Sequence, residues 1–368
     1  MLDTLSMFGL TKKQTRILFS IEKLLVEKDI KNSKTKIEEK EKWLIDWTSK
    51  ISDYLKEIEP EEDSNLMTLK EILDEISIEY TNSINNTWYY LILLEATLFI
   101  PYTPLNKDEN DDKIYKKLNY KNQNNYLKWL VRANHIIDES YIDKVEKTYT
   151  KSIRKLSNKA TKIVLSVVST IAIAAITAAT AGAFAGPIAV LLFQSYVGTL
   201  GGAALVSACL AMAGGGAIAI GGGGMAAGVI TIVGGGALLG LAGGGTLVVG
   251  INLLISSTPD LTLTQAAKLQ VVLKEIILNA QKDIICAQEV LKTYKSNITR
   301  FSTEIKELQL QRDKDHKLIK NMEESLSYME KAFKDMESFL TDFQGDNDDQ
   351  NTDQNNDENI DEQNHDDQ

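Results

Sequence analysis

From Ile163 to Pro259 the chain contains no Asp, Glu, Lys, Arg or His; Lys162 precedes this run and Asp260 follows it. All of the 23 glycines except Gly9 and Gly345 lie inside it, among Ala, Val, Ile and Leu. A helix crosses the hydrocarbon of a bilayer with about 20 apolar residues, and this run is about five times that length. A helix of a water-soluble protein packs one face and leaves the other charged. No face of any helix drawn through this run could carry a charge, so the sequence predicts a membrane-inserting segment.

The run divides at its own punctuation. Ile163–Ala185 forms a first candidate span closed by Gly186-Pro187, and Ile188–Ala213 a second, ended by Gly214 to Gly216. Ala217–Val233 and Ala237–Ser256 are third and fourth candidates on either side of Gly234 to Gly236. Membrane helices tolerate glycine where a neighbouring backbone approaches closely. Small residues four apart create such a face, and they recur at Gly182 and Gly186, Gly198 and Gly202, Gly224 and Gly228, and Gly236, Gly240 and Gly244. These nine are candidates for helix packing within a membrane. Chance repetition in so glycine-rich a run is the competing account.

The net charge of −11 is located rather than spread. Residues 344–368 hold acidic side chains and no Lys or Arg, so most of the excess sits there and the rest is near neutral. A near-neutral body gives no electrostatic footprint for nucleic acid. The tail cannot bury enough apolar surface to offset the cost of ordering, and disorder is expected there. The approach to the run is basic instead: Lys151, Arg154, Lys155, Lys159 and Lys162 are candidates for contact with a membrane surface, with an ordinary solvated helix end as the alternative. Met1–Leu10 has neither a cationic start nor an apolar core, so no cleavable signal peptide is expected. Cys209 and Cys286 are too few for a disulfide framework and read as free thiols.

The flanking sections follow helical spacing. Thr11 to Ile58 carries apolar residues three and four apart and ends before Pro60; Ser64 can cap a second helix from Asn65. Trp88 to Ile100 is densely apolar but too short to span and includes Glu95, which suits a buried helix. Asn125 to Ile137 is another helix, and a polar one starts near Glu139. Beyond the run, Leu273, Ile277, Ala280, Ile284, Ala287, Leu291, Tyr294, Ile298, Phe301, Ile305 and Leu308 alternate spacings of four and three. The register resumes at Ile319 and continues to Phe343. This is a heptad seam that needs a partner helix, and the N-terminal helices supply one. The polar break from Gln311 to Lys317 is a hinge, a turn between antiparallel halves or a surface patch.

Catalytic chemistry has no visible foothold. His135, His316 and His365 share no metal-ligand spacing, and the Gly221, Gly223, Ala226 pattern lacks both a strand–helix context and a carboxylate further on. No lysine follows any glycine of the run, which excludes a phosphate-cradling loop. Gln194, Tyr196 and Asn252 are its most polar groups, suited to bonds between helices or to a pore lining. No enzyme activity, metal or cofactor is expected.

The expected fold is therefore all-α: an elongated helical bundle or coiled coil, with a central Gly/Ala-rich membrane-inserting segment and a disordered acidic tail. Its sections are an N-terminal bundle over 1–162, the apolar segment of two to four spans over 163–259, a heptad-patterned helix over 260–343 packing on the N-terminal helices, and the tail over 344–368. This order of elements, carried by Ile163–Pro259 and the heptads, resembles the α-helical pore-forming toxins of the cytolysin A, haemolysin BL and non-haemolytic enterotoxin types. It looks similar, too, to type III secretion translocators with paired membrane helices. The run is longer than the membrane hairpin of those toxins. The resemblance implies a soluble helical form that hides its apolar segment, then inserts and oligomerises, with a lipid membrane and copies of itself or a companion subunit as partners. Such a protein is membrane-associated and permeabilises a target membrane, as a toxin or as an effector against its own cell. A constitutive membrane scaffold that binds proteins through its helices, without a pore, is the alternative.

Overall fold

The structure, a computed structural model, describes residues 10, 12–58, 63–102, 114–115, 117–157, 259–310 and 316–361. The apolar run, with Gly182, Gly186, Gly198, Gly202, Gly224, Gly228, Gly236, Gly240, Gly244, Cys209, Lys159 and Lys162, lies outside them. The described residues are mostly helical and contain no strand. None of their helices is long and apolar enough to cross a membrane.

Two antiparallel helices, α1 (Lys12–Asn32) and α2 (Ile37–Ile58), open the fold. The spacing over 11–58 suits one helix, but the chain turns at 33–36, where Lys36 takes a left-handed φ of 55°. A buried ion pair holds the turn. Lys40 Nζ lies 2.5 Å from Asp29 Oδ2 and also bonds Ser33 Oγ and the Asn119 carbonyl. Asp29 further accepts from the Tyr102 hydroxyl and the Lys121 backbone N–H. With all three ammonium protons and both carboxylate oxygens engaged, the pair avoids the unpaired-charge penalty of the interior. Trp43 and Trp47 stack at 5.8 Å beside it, and Phe99 and Tyr102 pack against them.

Helix α3 (Leu69–Asn82) starts later than the Ser64 cap suggests, because Thr68 makes a capping box with Glu71. Thr68 Oγ1 accepts from the Glu71 N–H while Glu71 Oε2 accepts from the Thr68 N–H. Two otherwise orphaned donors are satisfied at once. Helix α4 (Thr87–Leu98) is apolar on all sides, and ten of its twelve residues are buried. A helix with no wet face belongs in the centre. α5 (Asn124–Asn134) ends where His135 adopts φ 55°, and α6 (Ser140–Ser157) follows.

The 260–343 section is not one helix. It is made of α7 (Pro259–Val271), a π-helix (Val272–Ala280), α8 (Ile284–Leu310) and α9 (His316–Asp361). α7 and the π-helix run the same way as α9: Thr262 bonds Ser325, Gln270 bonds the Ala332 carbonyl, and Lys274 sits over Phe339. α8 runs the opposite way, since Lys282 lies over Phe343, Lys295 over Phe333, and Gln309 bonds Glu323. The reversal at 281–283 is made by Lys282 at φ 57° and by Asp283, whose Oδ1 accepts from the Cys286 N–H as an N-cap. Heptad counting passes straight through this cap. Ala287, Leu291, Tyr294, Phe301 and Ile305 of the seam are buried, while Ala280 at the turn is exposed.

The tail also differs from expectation over part of its length. α9 continues as backbone helix to Asp361. Extending an existing helix adds one hydrogen bond per residue without a new nucleus.

Candidate functional site

The described helices on either side of the apolar run, α6 and α7, are held by the same helix, α9. On the exit side, Lys331 Nζ bonds the Leu156 carbonyl and Lys155 pairs with Asp335. On the return side, Thr262 Oγ1 bonds Ser325 Oγ at 3.1 Å, and Lys274 Nζ lies 2.5 Å from the same Asp335. Asp335 thus joins α6, the π-helix and α9. Burial raises its affinity for a proton, but the hydrogen bonds and charges of Lys155 and Lys274 prevail and hold the carboxyl below the usual range. Thr148 of α6 also bonds Glu275 of the π-helix, at 2.6 Å.

Beneath this junction lies a buried polar cluster. Lys268 of α7 donates to Glu95 Oε2 of α4 at 2.6 Å, and their side chains are 11% and 3% exposed. Glu22 of α1, 2% exposed, faces the same pair. Burial raises Glu22 well above the carboxylate range; the Glu95 charge adds to the rise and Lys268 opposes it. The cluster therefore sets one ammonium against two carboxyl groups, and Glu22 is the one whose proton affinity burial raises. Among the described residues neither Glu22 Oε1 nor Glu95 Oε1 has a hydrogen-bond partner. Tyr149 of α6, raised by burial and by the Glu95 charge, bonds Thr264 of α7 and closes the other side.

Helix α6 itself is divided lengthwise. Tyr141, Ile142, Val145, Tyr149, Ile153 and Leu156 form its buried stripe. Asp143 and Glu146 turn towards α5, where Lys128 and Asn124 engage them at 2.6 and 2.9 Å. Lys144, Lys147, Lys151, Arg154 and Lys155 are exposed. Of the residues expected to meet a membrane, Lys151, Arg154 and Lys155 are therefore on the surface, although Lys155 is partly committed to Asp335. His135 and His316 lie on separate elements, and no cluster of three metal-ligating side chains occurs among the described residues. Cys286 is a free thiol, buried, and pushed up to about 12 by burial and by Asp283 and Glu289.

In the sequence Glu95 stands out only as a charge in an apolar helix and Lys268 only as a charge of the flank after the run, and nothing there singles out Glu22 or Asp335. A usable signal existed for one of the four: Glu95 is the single charge of the apolar helix α4, whereas Lys268 shares α7 with Asp260 and several polar residues. Comparison with protein-family models, with curated proteins and with solved structures finds no match for the chain.

Proposed function

We propose that this protein is a membrane-inserting, oligomerising pore former, working in the manner of the α-helical pore-forming toxins. The observation that carries the reading is the charge-free run of 163–259, bordered on both sides by helices that the polar contacts of α9 tie into one body. Transfer of such a run from water into lipid is driven by its apolar area. A body that keeps both ends on one side requires an even number of crossings, two or four for a run of this length. Once in lipid, the hydrophobic effect no longer brings helices together, and close packing at the Gly182–Gly186, Gly198–Gly202, Gly224–Gly228 and Gly236–Gly240–Gly244 faces takes over. The absence of Asp, Glu, Lys, Arg and His from the run argues against a membrane-embedded transporter or enzyme, where such residues mark the pathway.

Dye release from liposomes by detergent-free protein tests this. Leakage that falls when Gly224, Gly228, Gly236 and Gly240 are changed to Leu is the expected result. Protein found only in the detergent-extracted membrane fraction, and leaking nothing after reconstitution, would instead identify a constitutive membrane scaffold.

A further inference from the structure

We infer that the exposed basic stripe of α6 is a docking surface for anionic lipid headgroups, presenting the chain to a bilayer just ahead of the apolar run. The inference rests on the membrane-inserting reading and names the lipid class that this reading leaves open.

At 3.6 residues per turn, Lys144, Lys147, Lys151, Arg154 and Lys155 fall within about 100° of the helix circumference. The buried stripe occupies a second sector and the two acids, Asp143 and Glu146, a third. This separation matters more than the count of charges. Along the sequence, α6 mixes five exposed cations with two acids, which reads as an ordinary solvated helix. In the fold, the acids are engaged from α5, Asp143 by Lys128 and Glu146 by Asn124. They remain exposed at the edge of the stripe, where five cations outnumber them. Lys144, Lys147 and Lys151 are exposed and, among the described residues, form no ion pair; Lys155, at the end of the stripe, shares Asp335 with Lys274. Lys331 of α9 adds a further cation beside Leu156.

The direction is also informative. The stripe runs towards Ser157, and the sequence supplies Lys159 and Lys162 before the first apolar residue, Ile163. Each Lys or Arg close to an anionic bilayer strengthens binding by about fivefold.

The test is flotation of the full chain with vesicles of phosphatidylcholine alone or with added phosphatidylglycerol, at low and high salt. The parent should bind the anionic vesicles more tightly and lose that preference in high salt. Lys144→Gln, Lys147→Gln and Lys151→Gln together should weaken anionic binding by about a hundredfold, three fivefold steps, and leave binding to phosphatidylcholine unchanged. A matched triple on other exposed lysines, Lys292→Gln, Lys306→Gln and Lys320→Gln, should leave both unchanged. Equal binding of the parent to both vesicles, or equal losses in the two triples, overturns the docking surface. Dye release separates the two proposals. Leakage from phosphatidylcholine vesicles that the α6 triple does not alter, together with no anionic preference, removes the surface but keeps the pore. Salt-sensitive anionic binding without leakage keeps the surface and removes the pore.

Discussion

Replacing Lys268 by Met should unsettle the whole helical body, although Lys268 is a single residue in the last turn of α7. The side chain sits among α1, α4 and α7, with its ammonium 2.6 Å from Glu95 Oε2. Methionine fills a similar volume, so packing changes little. What changes is the charge balance: Glu95, 3% exposed, loses its ammonium partner, and Glu22 stands beside it. Breaking a buried pair by removing one partner costs about 3–5 kcal/mol. For a folded body of this size each kcal/mol lowers the midpoint by about 2–4 °C, giving a drop of roughly 6–20 °C. The assay is thermal unfolding of the purified full chain, followed by far-UV circular dichroism. The informative control is the double variant Lys268→Met with Glu95→Leu. Replacing a buried pair with apolar groups is often neutral or stabilising, so the double variant should recover most of the loss. A single variant within about 1 kcal/mol of the parent, or a double variant no better than the single, would show that the two groups are not desolvated and joined as described.

Three further outcomes follow from individual groups. Glu22 has its proton affinity raised by folding, so the folded state holds a proton that the unfolded state releases; stability is full below the ordinary carboxylate pKa and declines as pH rises towards the folded value. Urea titrations at acidic, neutral and alkaline pH should show that decline, and Glu22→Gln should flatten it; an unchanged slope refutes the assignment. Thr68→Ala removes the capping box of α3 and should cost about 1 kcal/mol, read as a lower urea midpoint with unchanged m. In a Cys209→Ser background, iodoacetamide at neutral pH should leave Cys286 unlabelled in the folded protein and label it in urea, because its thiol is buried and pushed up to about 12. Rapid labelling without denaturant would contradict that burial.

How far the sequence reaches depends on what each element needs. The all-α class was legible because three- and four-residue apolar spacing runs through the described helices. The central place of α4 was legible because an apolar stretch too short for a bilayer must be covered by protein. The turns were not. The reversals at Lys36 and at Lys282 contain no glycine or proline; each uses a lysine in the left-handed region, supported by contacts from elsewhere, Lys36 Nζ on the Lys117 carbonyl in one case and the Asp283 cap in the other. Local propensity carries no trace of such tertiary support. The seam after the run identified Leu291, Phe301 and Met336 as buried, but an unbroken heptad concealed that it folds back along α9. As for the site, the cations of α6 were visible one by one and helical spacing alone separates them from Asp143 and Glu146, yet the engagement of those acids by Lys128 and Asn124 appears only when α5 is in place. Glu22 and Lys268 come together from positions far apart in the chain, which no local pattern records.

The hold of α9 on both Leu156 and Thr262 makes the intervening stretch a detachable passenger. The entropy of closing a loop grows only logarithmically, each doubling of length adding about 0.6 kcal/mol. A body that already joins its own ends is therefore nearly indifferent to what is strung between them. Evolution could lengthen, shorten or exchange the apolar stretch without redesigning the helices that carry it, and a protein engineer could replace it with a short polar linker to obtain those helices alone. The same arrangement sets an order of assembly during synthesis. α6 is complete long before α9 emerges, so the first half of the chain must wait for the apolar stretch to be made, and kept from aggregating, before the helix that closes the body arrives.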